Sequence, residues 1–468
     1  MVIAALNDLK LEAGDIQNAY LTAPCLEKIY TTCGPEFGPD NQGKTAIIVR
    51  ALYGLRSSGK AFRNHLSAGI KELGWISCKA DADVYYQSAT RPDGVAYYKY
   101  LLTYVDDLLC ISDEPSRDLD KLDKYFKMKA NSRGIPKSYL GGQINAVTLL
   151  NNVQAWSFTS SKYVQEAISN VEKHIFTEYD AKLPMRVTTP FTSGYRPELD
   201  TSRELTDERA LYFMSLIGIL RWAVELGRID ITTEVSELSS FLAAPRDGHL
   251  NQALHIFAYL KKHHNSGIVF DPSYPDINED DFKSSDDWKY FYGDEKESLP
   301  PNMPPPLGKE VVIRCFVDAD HAGDKITRRS RTGFIIFLNN APIYWMSKKQ
   351  NTCETSTFGS ELVAMKTAME YIRGLRYKLR MMGIPLAGPA YVYGDNMSVI
   401  HNTTSPESTL KKKHNSIAYH FIREGVARGE WIITYVKSKD NLADILTKTL
   451  PQPAREVLLR KFMHYIHD

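Results

Sequence analysis

The run YKYLLTYVDDLLCIS, ending at Ser112, is apolar except for Lys99, Thr103 and the pair Asp106–Asp107. Its aromatic and β-branched content predicts two strands folded on a tight hairpin with Val105, Asp106, Asp107 and Leu108 across the turn. Asp tolerates positive φ, so the acid pair is expected to supply the turn conformation. Upstream, TAIIVRAL reads as another strand and the stretch from Lys60 to Leu73 as a helix, giving an α+β sheet domain over residues 1–145. From 146 to 270 the pattern becomes helical: Ala253, Ile256, Phe257 and Leu260 fall at i, i+3, i+4 and i+7 after Pro245. Beyond residue 309 the predicted order is strand, strand, helix, strand, helix, helix, strand, helix. There Leu362, Met365, Met369, Ile372, Leu375 and Leu379 form one helical stripe stopped by Gly383 and Pro385.

Residues 271–308 have neither periodicity and hold seven prolines and ten acids, so they are expected to form an exposed acidic linker or insertion, with 451–468 a C-terminal tail. An acidic flap over a basic neighbour is the other reading of that segment. The fold class is therefore multidomain, α+β followed by α/β, with about three domains in 468 residues.

A net charge of +1 excludes a uniformly basic nucleic-acid coat. By segment, however, residues 1–270 carry −1, residues 271–308 carry −7 and residues 309–468 carry +9. Phosphate-backbone contact is thus expected of the last segment. Its cationic clusters are Arg328, Arg329 and Arg331; Lys348 and Lys349; and Lys411 to Lys413, with Tyr344 and Trp345 near them and His414 after the last. Six cysteines without a CxxC pair point to a reducing intracellular compartment, cytoplasmic or nuclear, and no apolar run reaches the roughly 20 residues of a membrane span.

Like charges held among apolar strands are costly unless protonated or neutralised by a cation. Asp106 and Asp107, joined by Asp15 in LEAGDIQNAYL, therefore suggest a divalent-metal centre. A second series of acids follows: Asp318 at a strand end with Asp320 and Asp324 close behind, Glu361 opening the amphipathic helix SELVAMKTAMEYI, Asp395 at the next strand end, and Asp444 on the last helix.

These residues carry a resemblance to the reverse transcriptase and ribonuclease H portion of copia-type retrotransposon polyproteins. Asp15 in DIQNAYL and YVDD, Tyr104 to Asp107, resemble the palm carboxylate motifs; ALYGLRSSGKAF resembles the segment under template and nucleotide; and Tyr139 to Gly141 resembles the primer-gripping turn. VDADHAGD, GSELVAMKTA, YGDN and NLADILTKTLP resemble the ribonuclease H portion.

The resemblance implies a palm-like sheet domain, a helical thumb or connection region at 146–270 and a ribonuclease H-like α/β domain at 309–450. It also implies two Mg²⁺ ions per site, with Mn²⁺ as substitute, and catalytic metal ligands Asp15, Asp106, Asp107, Asp318, Glu361, Asp395 and Asp444. Tyr53 and Gly54 would lie against nucleotide and template. The implied partners are an RNA:DNA hybrid, an RNA template with DNA primer, and deoxynucleoside triphosphates, with no membrane. Two departures stand out: Gly59 where the family has Pro, and only 14 residues before Asp15 where the family carries its fingers. The palm is accordingly read as N-terminally truncated, and hybrid hydrolysis ranks above DNA synthesis. The alternatives are a non-catalytic, domesticated or relic nucleic-acid-binding protein, and a transposase or integrase on a related fold.

Overall fold

The computed structural model describes residues 1–282, 287–411 and 413–465. The chain opens with α1 (Val2–Leu6), β1 (Lys10–Asp15), α2 (Ala19–Thr22), β2 (Tyr30–Thr32), β3 (Thr45–Ile47) and α3 (Ser58–Glu72). It continues through β4 (Ile76–Ser77), β5 (Val84–Thr90), β6 (Ala96–Tyr104), β7 (Asp107–Ser112) and α4 (Pro115–Asp123). β1, β7, β6, β5 and β4 form one antiparallel sheet in that order, with β2 and β3 a separate ribbon.

β6 and β7 are almost wholly apolar because both faces of this sheet are covered. Leu101, Leu108 and Cys110 pack beneath α3 and α4 with Phe62, Ile70 and Phe126. Tyr98, Tyr100, Leu109 and Ile111 point the other way into a core shared with the C-terminal unit. The hairpin forms as expected, but Val105, not an Asp, takes the positive φ of 55°. The sheet register explains the choice: Asp107 must remain in strand geometry to pair with both Tyr104 and Asp15.

The second stretch contains β8 (Ser138–Tyr139), β9 (Gly142–Thr148), β10 (Gln154–Thr159), α5 (Ser161–Tyr179), α6 (Asp207–Glu225), α7 (Thr232–Leu238), α8 (Asp247–Lys262) and β11 (Ser266–Phe270). Its helices bury Ala253, Ile256, Phe257 and Leu260 in a core of their own, as the spacing predicts. The segment is less uniformly helical than its periodicity implies, since β8 to β11 belong to a second five-stranded sheet. Short strands flanking long helices leave too few alternating positions to register as a pattern.

The acidic segment is docked rather than solvated. It contains α9 (Trp288–Tyr292), and its acids answer buried cations of the C-terminal unit. Glu297 accepts from Arg376 at 2.9 and 2.6 Å and also pairs with Arg380, while Glu295 pairs with Arg428. Trp288 lies under Arg423, whose guanidinium is 4.9 Å from the ring centroid. Phe282 meets Tyr391 and Tyr393 edge-on, and Tyr98 of β6 donates to Pro305 O at 2.9 Å. Anions recruited to half-buried arginines leave no periodic signature, which is why composition alone reads as linker.

The C-terminal unit comprises β12 (Ile313–Asp320), β13 (Arg331–Leu338), β14 (Ala341–Lys349), α10 (Thr357–Met381), β15 (Ala390–Gly394), α11 (Met397–Thr404), α12 (Ser416–Ala427), β16 (Trp431–Tyr435), α13 (Gln452–Leu459) and β17 (His464–Tyr465). Its sheet order is β14-β13-β12-β15-β16, antiparallel across the first three and parallel across the last three. Three strands precede the long helix, not two, because β13 and β14 are joined by the short turn Asn339–Asn340. The stripe from Leu362 to Leu379 packs on this sheet, and α10 ends at Met381 before Gly383 at φ 75°. Residues 451–465 are not a free tail: α13 buries Leu458, and β17 pairs with β11 of the middle sheet.

Candidate active sites

In the N-terminal sheet, β1 and β7 place Asp15 directly opposite Asp107, and the hairpin carries Asp106 beside them. All three are half-buried. Burial first, and then Asp106 and Asp15, raise the Asp107 carboxyl above its ordinary range. A protein cation is already present: Lys129 Nζ lies 2.6 Å from Asp15 Oδ2 and 3.7 Å from Asp106 Oδ2. Asp15 Oδ1 is buried without a hydrogen-bond partner. An orphaned carboxylate oxygen among three acids is chemically suited to a hard divalent cation.

Tyr139 stands near Asp107, its hydroxyl pushed up to about 12 by burial and by the charges of Asp107 and Tyr104. The turn after it holds Leu140 at φ 51° and Gly141 at φ 88°. Tyr53 and Gly54 lie on the exposed loop before α3; Tyr53 packs against Tyr20 with ring centroids 4.6 Å apart and planes inclined by 34°. Tyr20 belongs to α2, the short helix that follows β1 and its Asp15.

The C-terminal centre is more enclosed. β12 delivers Asp318, only 1% exposed, and the parallel β15 ends immediately before Asp395. Glu361 does not open the helix but sits in the second turn of α10, whose N-cap is Ser356. Ligand oxygens of Asp318, Glu361 and Asp395 lie within 4.8 Å of one another, a donor set that fits a divalent cation. Asp444 comes from a 3₁₀ helix, Leu442–Leu446, rather than from the last α-helix. It joins through Lys448, whose Nζ is 3.0 Å from Asp444 Oδ1 and 3.2 Å from Asp318 Oδ2. Thr447 Oγ1 donates to Asp318 Oδ2. Burial, Asp318 and Asp395 push Glu361 up to about 9, and burial with Asp318 pushes Asp444 up to about 6. Asp395 is also raised, by burial first. Four acids this close resist full ionisation without added positive charge.

Asp320, two residues after Asp318 on β12, feels the charges of Asp318 and Lys448, but it and Asp324 open onto another cleft. They line a cleft with Arg196, Glu237, Arg331 and Lys349 that none of the four acids lines, and Asp324 pairs with Lys349 at 2.5 Å. Several cations expected to meet phosphate are committed internally: Arg331 is 7% exposed and pairs with Glu237, and Arg329 donates to Gln350 O. Tyr344 stacks on Tyr371 at 4.8 Å, Trp345 is half-buried against the core, and His414 reaches Glu354 at 3.3 Å. Lys348, Lys411 and Lys413 make no ion pair among the described residues; Lys412 lies outside the described residues.

Three residues were missed in the sequence. Lys129 and Lys448 carry no motif of their own, although Lys448 stands four residues after Asp444. Gly333 pairs with Asp318, and a Cβ there would lie 2.6 Å from Thr447 Cγ2 and 2.9 Å from the Leu446 backbone. A glycine inside an apolar strand was the available signal for such close approach.

Residues 1–181 match the family described as reverse transcriptase (RNA-dependent DNA polymerase). The chain is 25% identical over 444 residues to the retrovirus-related Pol polyprotein from transposon RE1 of Arabidopsis thaliana, covering 94% of this chain and 26% of that polyprotein. It is 24% identical to the polyprotein from transposon TNT 1-94 of Nicotiana tabacum, covering 96% of this chain and 30% of the relative. A putative transposon Ty5-1 protein of Saccharomyces cerevisiae is 24% identical over 76% of this chain and 99% of its own length. This chain therefore spans less than a third of the two plant polyproteins. Among solved structures, the N-terminal RNase H domain of a Mycobacterium tuberculosis protein, in a fusion protein, aligns with 32% of this chain and 98% of that chain at 13% identity and TM-score 0.23. RNase H1 of Halobacterium salinarum covers 30% and 95%, at 15% identity and TM-score 0.23. Among the described residues no helix is long and apolar enough to cross a membrane. The chain thus carries a reverse transcriptase match over residues 1–181 and is similar, along nearly its whole length, to part of the Pol polyproteins of plant retrotransposons.

Proposed function

We propose that the C-terminal unit hydrolyses the RNA strand of RNA:DNA hybrids at Asp318, Glu361, Asp395 and Asp444, using Mg²⁺. One observation carries the reading: a strand, a helix and a second strand bring three carboxylates within 4.8 Å, with the fourth one lysine away. Mg²⁺ held by these oxygens supplies Lewis-acid activation of water and charge stabilisation at the phosphodiester, and Mn²⁺ can replace it. The protein's own part is orientation and proton control. Thr447 fixes the Asp318 carboxylate, and Asn441 holds the strand under it by donating to Val317 O at 2.9 Å. Glu361, pushed up to about 9, holds a proton at neutral pH until positive charge enters the site. Arg328, Lys348, Lys411 and Lys413, all exposed, are among the residues available to neutralise the hybrid backbone.

The N-terminal sheet is proposed as the RNA-directed DNA polymerase centre, with Asp15, Asp106 and Asp107 as its Mg²⁺ ligands and Tyr53 and Gly54 toward nucleotide and template. Its partners would be an RNA template, a DNA primer and deoxynucleoside triphosphates. The proposed domain division is palm at 1–145, thumb and connection at 146–270, an acidic strap at 271–308 and the ribonuclease H-like unit from 309.

Gel-resolved cleavage of labelled hybrid in Mg²⁺ tests the leading assignment. Glu361→Gln is expected to lower the rate by at least about 100-fold, as expected when a metal ligand is lost from a preorganised site. Wild-type rates in that variant would refute the assignment.

A further inference from the structure

We propose that Lys448 is the resident counter-ion of the Asp318–Asp444 side of the C-terminal centre and gives up that place when a second divalent cation binds. The inference rests on the hydrolytic reading above and adds a positioning residue to it. Three observations carry it.

First, the Lys448 ammonium contacts acids from two different elements, Asp318 of β12 at 3.2 Å and Asp444 of the 3₁₀ helix at 3.0 Å. Glu361 and Asp395 make no ion pair among the described residues. The centre is thus divided into a three-carboxylate pocket open to an ion and a two-carboxylate pocket filled by an ammonium. Second, the arrangement occurs twice. In the N-terminal sheet Lys129 bridges Asp15 and Asp106 in the same manner, at 2.6 and 3.7 Å, on an unrelated set of strands. Third, the side chain can leave. Lys448 is 37% exposed on one edge of the site, whereas Asp318 is 1% exposed. A lysine ammonium is a point charge on a flexible stem, able to exchange solvent for carboxylate without moving backbone, which a planar guanidinium fork does less readily.

The physical role follows from charge. Without Lys448, Asp318 and Asp444 would face each other across a partly buried gap, and the 3₁₀ helix bearing Asp444 would be driven away from β12. With it, the acids are held in place before metal arrives. The first ion enters the Asp318–Glu361–Asp395 pocket, where Asp318 alone is paired with the ammonium and Glu361 and Asp395 have no ion pair among the described residues. The second must expel Lys448, so its affinity is lowered by the ammonium's own interaction with the pair.

Calorimetric titration of Mg²⁺ into the full chain, without nucleic acid, tests this, with thermal melting before and after Mg²⁺. Lys448→Gln is expected to bind its second Mg²⁺ about tenfold more tightly than wild type. It should also melt below wild type without metal and recover in Mg²⁺. Lys448→Arg, which keeps the charge, should bind the second ion no more tightly than wild type. Equal or weaker second-ion affinity in Lys448→Gln overturns the proposal. If that variant melts too early to titrate, its larger melting-temperature gain from Mg²⁺ relative to wild type supports the proposal, and an equal or smaller gain overturns it. Hybrid cleavage by the wild type separates the two failures: a cleaving wild type with unchanged second-ion affinity in the variant defeats only the role of Lys448. A wild type that neither binds Mg²⁺ nor cleaves defeats the hydrolytic reading as well.

Discussion

Glu237 on α7 meets Arg331 of β13 at 3.6 Å, at the junction of the helical unit with the C-terminal sheet. Burial, outweighing the pull of Arg331 and aided by Glu234 and Glu198, pushes its carboxyl up to about 7 from the usual 4.5. A raised carboxyl binds its proton more tightly folded than unfolded. Its contribution to stability is therefore complete below pH 4.5 and lost as pH rises toward 7. Subtracting the melting-temperature profile of Glu237→Gln from that of wild type should leave a curve that falls across this window. A flat difference would contradict it. Val105 shows a different residue-scale cost. Its φ of 55° is unfavourable for a β-branched side chain by about 1 kcal/mol or more, and it is held there by the strand pairings of Tyr104 and Asp107.

At the scale of elements, the 3₁₀ helix that carries Asp444 depends on its neighbours for its position. It lies against β13 because Gly333 has no side chain, and Thr233 of α7 donates to Ile445 O at 2.7 Å. Gly333→Ala should cost about 1–3 kcal/mol by overpacking and slow hybrid cleavage by at least about tenfold, because Asp444 and Lys448 move with the turn. Urea denaturation and the cleavage assay read the two effects; an unaltered cleavage rate would show that the turn is not positioned by this contact.

What could be read from the sequence follows the same division. Asp318 and Asp395 fall near the strand ends where their local apolar pattern places them, whereas Glu361 and Asp444 lie in the second turn of α10 and in a 3₁₀ helix, positions that the local pattern does not resolve. The α10 stripe and the Tyr98–Ser112 hairpin were legible because their apolar pattern is local. Lys129 and Lys448 were not, since an ammonium's role is set by which acids fold around it. The docked strap was hidden because its partners, Arg376, Arg380, Arg423 and Arg428, follow it by about 80 to 140 residues. Arg331 was grouped with candidate phosphate contacts because its cluster is basic in sequence, whereas it opens a strand buried along its whole length and pairs with Glu237.

Across the whole molecule, the strap and the shared core join the two carboxylate centres. Tyr98 and Tyr100 of the N-terminal sheet donate to Pro305 O and Met382 O, and their rings belong to the core of the C-terminal sheet. Glu297 closes the strap on Arg376, which is 3% exposed, so Glu297→Ala strands a buried guanidinium and should destabilise by about 3 kcal/mol in urea. Glu295→Ala, half exposed beside Arg428, should cost less than about 1 kcal/mol. Similar losses for the two would show that the strap is not anchored at Glu297. Although physically joined, the centres use separate acids on separate sheets. The most direct measurement is the rate at which the full chain cleaves the RNA strand of a hybrid in Mg²⁺, compared among wild type, Asp106→Asn and Asp395→Asn. Asp106→Asn should cleave at the wild-type rate, while Asp395→Asn should lose at least about 100-fold. Equal rates in wild type and Asp395→Asn, or no cleavage by any of the three, would contradict the account.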